Sequence, residues 1–192
     1  MSSFIRFAGA AAVILSLGLF VSALPLSFVK IQAATGLDVV SCLFKKLIVE
    51  LELEVKIKAL LACKTIAEAE AAAKVVIALL QICADDLLKI GAGVQIQEDA
   101  KMSLVVCVAS IITLLVQVLV QVCLKFGIAA TLHICAQIDT VVRLWLDNLD
   151  ICIIGVVSLV VKAVGTVILG LCAQVKLDLC LQILTKASGV AA

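Results

Sequence analysis

The longest apolar pattern in the chain runs from Glu98 to Phe126, without proline or glycine and without a charged residue between Lys101 and Lys125. A run of this length is typical of a membrane span, for which roughly 20 residues suffice. Its few polar residues, however, recur three, four or seven positions apart and share one line of an α-helix, the polar stripe. They are Asp99, Ser103, Ser110, Thr113, Gln117, Gln121 and Lys125. The pattern predicts a helix buried in protein on most sides and wetted along this stripe, with Gly127 closing it.

The segment before it also has clear helix signals. Thr65 and Glu68 fit a capping box, in which each side chain satisfies a free backbone N–H of the first turn. An alanine-rich sequence of high helix propensity follows. Gly91 and Gly93 predict the end of this helix, because glycine readily adopts the conformation that terminates one.

Two further helices are predicted after Gly127, followed by a final segment that ends near residue 186. The first runs from about 128 to 148, with polar residues at helical spacing and a turn near Asp150, which can cap the next helix. The second, 151–171, is almost free of charge. Small or polar residues form a stripe on it that would let another backbone approach closely. These are Gly155, Ser158, Lys162, Gly165 and Thr166.

Residues 39–61 are ambiguous, although Asp38 offers a helix N-cap before them. Within them, residues 48–59 alternate apolar and charged positions, as a half-buried strand does. The same residues place Glu54 four positions before Lys58, a favourable pair on a helix. A helix is the preferred interpretation, and a short β-ribbon between 48–59 and 173–183 is the alternative.

Together these patterns predict an all-α fold: a disulfide-stapled bundle of five or six long, highly apolar helices. We divide the chain into a secretory signal peptide (1–23), an N-terminal arm (24–36), a single helical domain (37–187) and a tail (188–192). The signal peptide is indicated by Arg6, a short apolar run and small residues before a cleavage site at Ala23.

The composition predicts that the exported chain associates with other copies of itself or with a hydrophobic interface. The chain is 65% hydrophobic and 15% charged, against roughly 45–50% and about 25% in ordinary domains. Loss of Arg6 with the signal peptide leaves 14 basic and 14 acidic residues, so charge repulsion would not keep the molecules apart. The predicted assembly face lies on the two most apolar helices. Its candidate residues are Leu104, Val108, Ile111, Leu115, Val118, Leu119, Val122, Ile153, Val157, Val160, Val164 and Ile168.

Nine cysteines in a secreted chain of this length indicate a disulfide framework. Their odd number leaves at least one thiol unpaired, and their spacing does not define the pairing. They are Cys42, Cys63, Cys83, Cys107, Cys123, Cys135, Cys152, Cys172 and Cys180. Because no C-x-x-C motif occurs, structural disulfides are favoured over a metal site.

No motif for catalysis is found, and we expect the protein not to be an enzyme. The only histidine, His133, lies on the polar line of a helix, which is typical of a solvated residue. Neither a cofactor nor nucleic acid is an expected partner, because phosphate-binding motifs and basic patches are missing.

The sequence therefore favours a secreted structural or surface-active protein, either free outside the cell or associated with a cell wall or cell surface. It would self-assemble as a homo-oligomer or filament, or coat a hydrophobic or lipid interface, through exposed apolar helix faces. The alternatives are an integral membrane protein with spans near 102–124 and 151–171, and a secreted helical carrier of lipid or another apolar ligand.

Overall fold

An extended arm and a series of α-helices make up the part of the chain that the structure, a computed structural model, describes: residues 28–188, with side chains to residue 186. The predicted signal peptide and residues 189–192 of the predicted tail lie outside the described residues. The helices in chain order are α1 (Val39–Lys45), α2 (Leu53–Ala62), α3 (Ile66–Ile90), α4 (Glu98–Phe126), α5 (Ile128–Cys152), α6 (Val156–Gln174) and α7 (Asp178–Ser188).

Residues 28–188 contain no strand, which confirms the all-α prediction and shows that the β-ribbon alternative is wrong. The ambiguous residues 48–59 belong to a π-helical turn, Lys46–Glu50, and to the start of α2. On α2 the Lys58 ammonium lies 2.6 Å from the Glu54 carboxylate, the one-turn pairing that a helix provides. The two helical pieces are separated at Glu52, which adopts a left-handed conformation with φ of 52°.

The predicted caps define most helix ends. Asp38 accepts a hydrogen bond from the Ser41 N–H at the start of α1. Thr65 accepts from the Glu68 N–H at the start of α3, and the Glu68 carboxylate reaches back to the Lys64 N–H at 2.7 Å. Helix α4 has the predicted bounds and ends at Gly127 with φ of 87°. Local capping chemistry therefore fixes these boundaries.

The boundary between α5 and α6 differs from the prediction. Helix α5 continues to Cys152, past the predicted turn at residues 148–150, and Gly155 then reverses the chain with φ of 77°. Asp150 lies in α5, but its carboxylate still caps the start of α6, because it accepts a hydrogen bond from the Val157 N–H at 3.2 Å. Within α6, Gly165 has a non-helical conformation and kinks the helix.

Helix α4 lies at the centre of the bundle, where it packs against α1, α2, α5 and α6. The core also includes the fully buried rings of Phe44 and Trp145, whose centroids are 5.6 Å apart. Of the most apolar window of α4, 78% is buried inside the protein. Its high apolar content is thus explained by burial in protein on nearly all sides.

The arm covers much of the polar stripe, which corrects the prediction that the stripe faces water. Backbone N–H groups of the arm donate hydrogen bonds to polar side chains of α4: Gln32 to Ser110 at 3.3 Å, and Thr35 to Ser103 at 3.0 Å. On the other side of the arm, the Ile31 N–H donates to the α2 carboxylate of Glu54 at 3.0 Å. The arm therefore lies between α2 and α4 and closes the bundle over the polar stripe.

Candidate functional site

The twelve residues predicted to form an assembly face are buried in the core of the single chain. None is more than 9% exposed. Seven lie on α4, which is enclosed by neighbouring helices, and the others lie on or just before α6, on its inward side. The residues are Leu104, Val108, Ile111, Leu115, Val118, Leu119, Val122, Ile153, Val157, Val160, Val164 and Ile168. The predicted location of the face is therefore corrected: any association surface must consist of other residues.

The opposite side of α6 is an apolar helix surface that the described residues leave largely uncovered. Only 33% of its apolar window is buried, and Lys162 is its single charged residue. Its exposed residues recur at helical spacing and form the α6 outer face. They are Lys162, Ala163, Thr166, Val167, Gly170 and Ala173. Val167 is 75% exposed, and half-buried Leu159 and Leu169 flank the face.

Small side chains predominate on the α6 outer face, which the kink at Gly165 divides into two parts. Ala163, Gly170 and Ala173 project little from the helix, and the predicted stripe residues Lys162 and Thr166 are exposed on the same side. Helix surfaces of small residues allow close approach of a second backbone. The face is thus suited to contact with another helix or with an apolar surface.

Other exposed large apolar residues are distributed over the remaining surface. Isolated residues of this kind are normal in soluble proteins. Those at least half exposed include Leu37, Val49, Val55, Ile82, Leu88, Leu124, Ile151 and Ile154. They increase the apolar surface of the molecule, and some share a helix side, as Val75 and Ile82 do on α3.

Two surface grooves bear on the ligand-carrier alternative. One, of about 450 Å³, lies between α2 and the end of α4, where Leu61 and Leu124 line it beside Lys125. The other, of about 220 Å³, lies between α1 and α3 and is lined by Leu47 and Leu79 among others. The larger volume is in the range of small-molecule pockets. A ligand in it would be held at the surface, not inside the bundle.

The nine predicted disulfide cysteines are all free thiols in the structure, and all but exposed Cys42 are buried. They act as small apolar core residues. Burial raises the pKa of the thiols of Cys83 and Cys107 to about 12, which makes both poor nucleophiles. No two of the nine sulfur atoms lie at disulfide-bond distance, and neighbouring thiols occur at the α4–α5 and α6–α7 junctions.

One contact between two thiols lies where α4 turns into α5. The Cys123 sulfur is 3.8 Å from the Cys135 sulfur and 3.2 Å from the Thr131 hydroxyl. The hydrogen bond from Cys135, together with that of Thr131, lowers the pKa of Cys123 to about 7, although burial opposes this. The same hydrogen bond and burial raise the pKa of Cys135. One sulfur of the pair is thus favoured as thiolate and the other as thiol.

The ionisable side chains of His133 and Asp139, both on α5, make contacts with other helices. His133 places Nε2 2.8 Å from the Glu70 carboxylate on the surface between α5 and α3. Buried Asp139 accepts the Leu179 and Cys180 N–H groups at 2.8 and 2.7 Å, and so caps the start of α7 from α5. Residues 28–188 bring together no group of three His, Cys, Asp or Glu side chains that could hold a metal ion.

Comparisons with protein-family models, with curated proteins and with solved structures find no match to this chain. The functional interpretation therefore depends on the physical features of the α6 outer face and of the buried thiols.

Proposed function

We propose that this protein is a secreted structural or surface-active protein that self-associates through the α6 outer face and coats hydrophobic interfaces with it. The observation that carries the proposal is the contrast between two apolar helices: α4 is enclosed by protein, whereas most of the apolar window of α6 is not. An apolar helix face without a covering element is a typical interaction site.

The energetics favour association of this face. Apolar surface removed from water contributes roughly 25 cal/mol per Å², so a few hundred Å² on each partner amounts to several kcal/mol. Lys162 is the one charge on the helix, so few charges need to be desolvated when the face is covered. The near-zero net charge of the chain adds little repulsion between copies.

A second copy of the chain is the partner that fits best. In a two-fold dimer both copies contribute the same patch, so the apolar residues of one face can meet those of the other. Because Ala163 and Gly170 are small, the two helices could approach closely around the exposed Val167 side chains. At an air–water or lipid interface the same face would contact the apolar phase instead.

The integral membrane alternative is less well supported by the packing. Spans near 102–124 and 151–171 would both have to contact lipid, but α4 packs against four other helices and the arm occupies its polar stripe. Resistance to alkaline carbonate extraction would favour this alternative over the proposal.

The proposal is tested by sedimentation velocity of the purified mature protein over a concentration series. We expect concentration-dependent oligomers for the wild type and a shift to monomer for Val167→Asp. Thr140→Asp is the matched control, because Thr140 is also exposed on a helix but lies on α5, away from the face. A wild type that stays monomeric, or equal behaviour of the two variants, would contradict the proposal.

Interfacial activity is measured separately by pendant-drop tensiometry. The wild type and Thr140→Asp should lower surface tension to a similar extent, and Val167→Asp should do so less or more slowly. Unchanged surface tension with all three proteins would exclude the coating role.

A further inference from the structure

The end of α4 and the first turns of α5 bring two cysteines into contact across the Gly127 turn. Cys123 lies in the last turn of α4, and Cys135 lies two turns into α5. Their sulfur atoms are 3.8 Å apart, so an approach of less than 2 Å would reach the disulfide bond length of about 2.05 Å. Both side chains are fixed by helical backbone on either side of a short turn.

We infer that Cys123 and Cys135 are a redox pair that forms a disulfide joining α4 to α5. The inference deepens the proposed function and rests on its secretion, because the secretory pathway supplies disulfide oxidants whereas the cytosol keeps thiols reduced. The bond would lock the central helix to α5 at one end of the bundle.

The surroundings of Cys123, which include Thr131, favour its thiolate form. The Thr131 hydroxyl lies 3.2 Å from the Cys123 sulfur and is itself held near the carbonyl oxygens of Gly127 and Ile128, at 3.0 and 3.2 Å. The hydrogen bond from Cys135, aided by the contact with Thr131, stabilises negative charge on Cys123 and lowers its pKa to about 7, although burial opposes this. Both residues are buried, and Cys123, at 6% exposed against 1% for Cys135, is the less buried of the two.

The reaction is a thiol–disulfide exchange in two steps. The Cys123 thiolate attacks one sulfur of a disulfide oxidant, such as glutathione disulfide or a protein disulfide, and releases the other sulfur as thiolate. The Cys135 thiol then gives its proton to water, from which the released oxidant thiolate is protonated, and attacks the Cys123 sulfur of this mixed disulfide. The second oxidant sulfur leaves as thiolate. Two protein thiols are thereby oxidised, and one oxidant disulfide is reduced to two thiols.

The thiols at the α6–α7 junction differ in their surroundings. Cys180 hydrogen-bonds with Cys172, but it is 1% exposed and its N–H donates to the Asp139 carboxylate. The hydrogen bond with Cys172, burial and the charges of Cys172 and Asp139 all raise the pKa of Cys180. Negative charge is thus disfavoured on Cys180. Because Cys172 and Cys180 are also more deeply buried than Cys123, we expect this pair to react more slowly than Cys123 and Cys135.

The test is peptide mapping of the reduced full-length mature protein after incubation in glutathione buffers of increasing oxidising strength. Free thiols are blocked by alkylation and the protein is digested without reduction. We expect a peptide pair joined through Cys123 and Cys135, lighter by two hydrogen masses, to form before any link between Cys172 and Cys180. Wild-type protein is sufficient for this measurement, so it does not depend on the folding of a variant.

Variants test the order of the two steps. Cys135→Ser should retain one glutathione on Cys123, because the resolving thiol is missing, whereas Cys172→Ser should form the Cys123–Cys135 link at the wild-type rate. Linkage of Cys123 to another cysteine would overturn the inference. So would persistence of both thiols in a buffer that oxidises exposed Cys42. Neither result depends on oligomerisation, so the sedimentation experiment can fail while this one succeeds.

Discussion

The side-chain oxygen of Gln117, in the middle of α4, accepts a hydrogen bond from the backbone N–H of Val29 at 3.2 Å, across 88 positions of sequence. Ser110 and Ser103 do the same for arm residues 32 and 35, so each step of three along the arm matches a step of seven along the helix. Seven helical residues rise about 10.5 Å, and three extended residues span about 10–11 Å. The spacing of the polar stripe thus matches the length of an extended chain.

This relationship predicts that the arm contributes to stability through the polar stripe. Ser110→Ala removes the acceptor for the Gln32 N–H and should lower the free energy of unfolding by about 1 kcal/mol. Thr113→Ala is the control, because Thr113 lies on the same stripe but accepts none of the arm hydrogen bonds described above. Urea unfolding measures both variants. Equal stability of the two would mean that the arm hydrogen bonds contribute nothing.

Gly36 is predicted to be required where the arm enters α1. A Cβ at this position would collide with the Asp38 carboxylate and the Ser41 hydroxyl, and it would lie 2.9 Å from the Ala100 Cβ. Gly36→Ala should therefore cost about 1–3 kcal/mol of stability, partly by displacing the Asp38 cap.

Gly170 provides the matched substitution for that test. A Cβ there meets no atom within 4 Å, and the residue lies within α6. Gly170→Ala should stabilise the protein by roughly 0.5–1 kcal/mol, because alanine has the higher helix propensity. Thermal unfolding at one low protein concentration compares the two variants. A destabilised Gly170→Ala with an unaffected Gly36→Ala would contradict this account of both glycines.

The raised pKa of the Asp139 carboxyl group is expected to make the stability of the protein depend on pH. Burial raises this pKa above the ordinary 3.8, although the N–H groups of Leu179 and Cys180 act in the opposite direction. Between 3.8 and the higher folded pKa, the folded protein retains a proton that the unfolded chain has released. The contribution of Asp139 to the free energy of unfolding should therefore fall as pH rises through this window, and stay constant above it.

The measurement is the difference in unfolding free energy between the wild type and Asp139→Asn, determined from about pH 3 upwards. Asparagine does not titrate, so general acid effects on the rest of the chain cancel in the difference. We expect the unfolding free energy of the wild type to fall relative to that of Asp139→Asn as pH rises through the window. A change in the opposite direction would show that the two N–H groups outweigh burial and favour the carboxylate.

The sequence was sufficient for features that local chemistry determines. The bounds of α4 and the caps at Thr65 and Gly127 follow from short-range rules on glycine, side-chain oxygens and apolar period. The π-helical turn after α1 and the break at Glu52 were missed, because neither has a distinct residue pattern.

Contacts between residues that are distant in the sequence could not be predicted as well. The polar stripe was identified, but its periodicity does not distinguish water from a backbone as its partner. The arm binds the polar stripe through its backbone N–H groups. Almost every residue has such a group, so the sequence of the arm does not indicate that it binds there. On α6, both the inward and the outward side are apolar, and residues such as Val160 were assigned to the exposed side although they are buried. Packing of α6 against α4 and α7 distinguishes the two sides.

The central claim, that the α6 outer face is covered by a second copy, is tested most directly by site-specific photo-crosslinking. A photoreactive amino acid replaces Thr166 on the face in one sample and Thr140 on α5 in another, and cross-linked peptides of the mature protein are identified by mass spectrometry. We expect Thr166 to yield intermolecular cross-links to residues 156–174 of another copy, and Thr140 to yield few. Cross-links from Thr166 that are only intramolecular, or dimers formed equally well from Thr140, would contradict the claim.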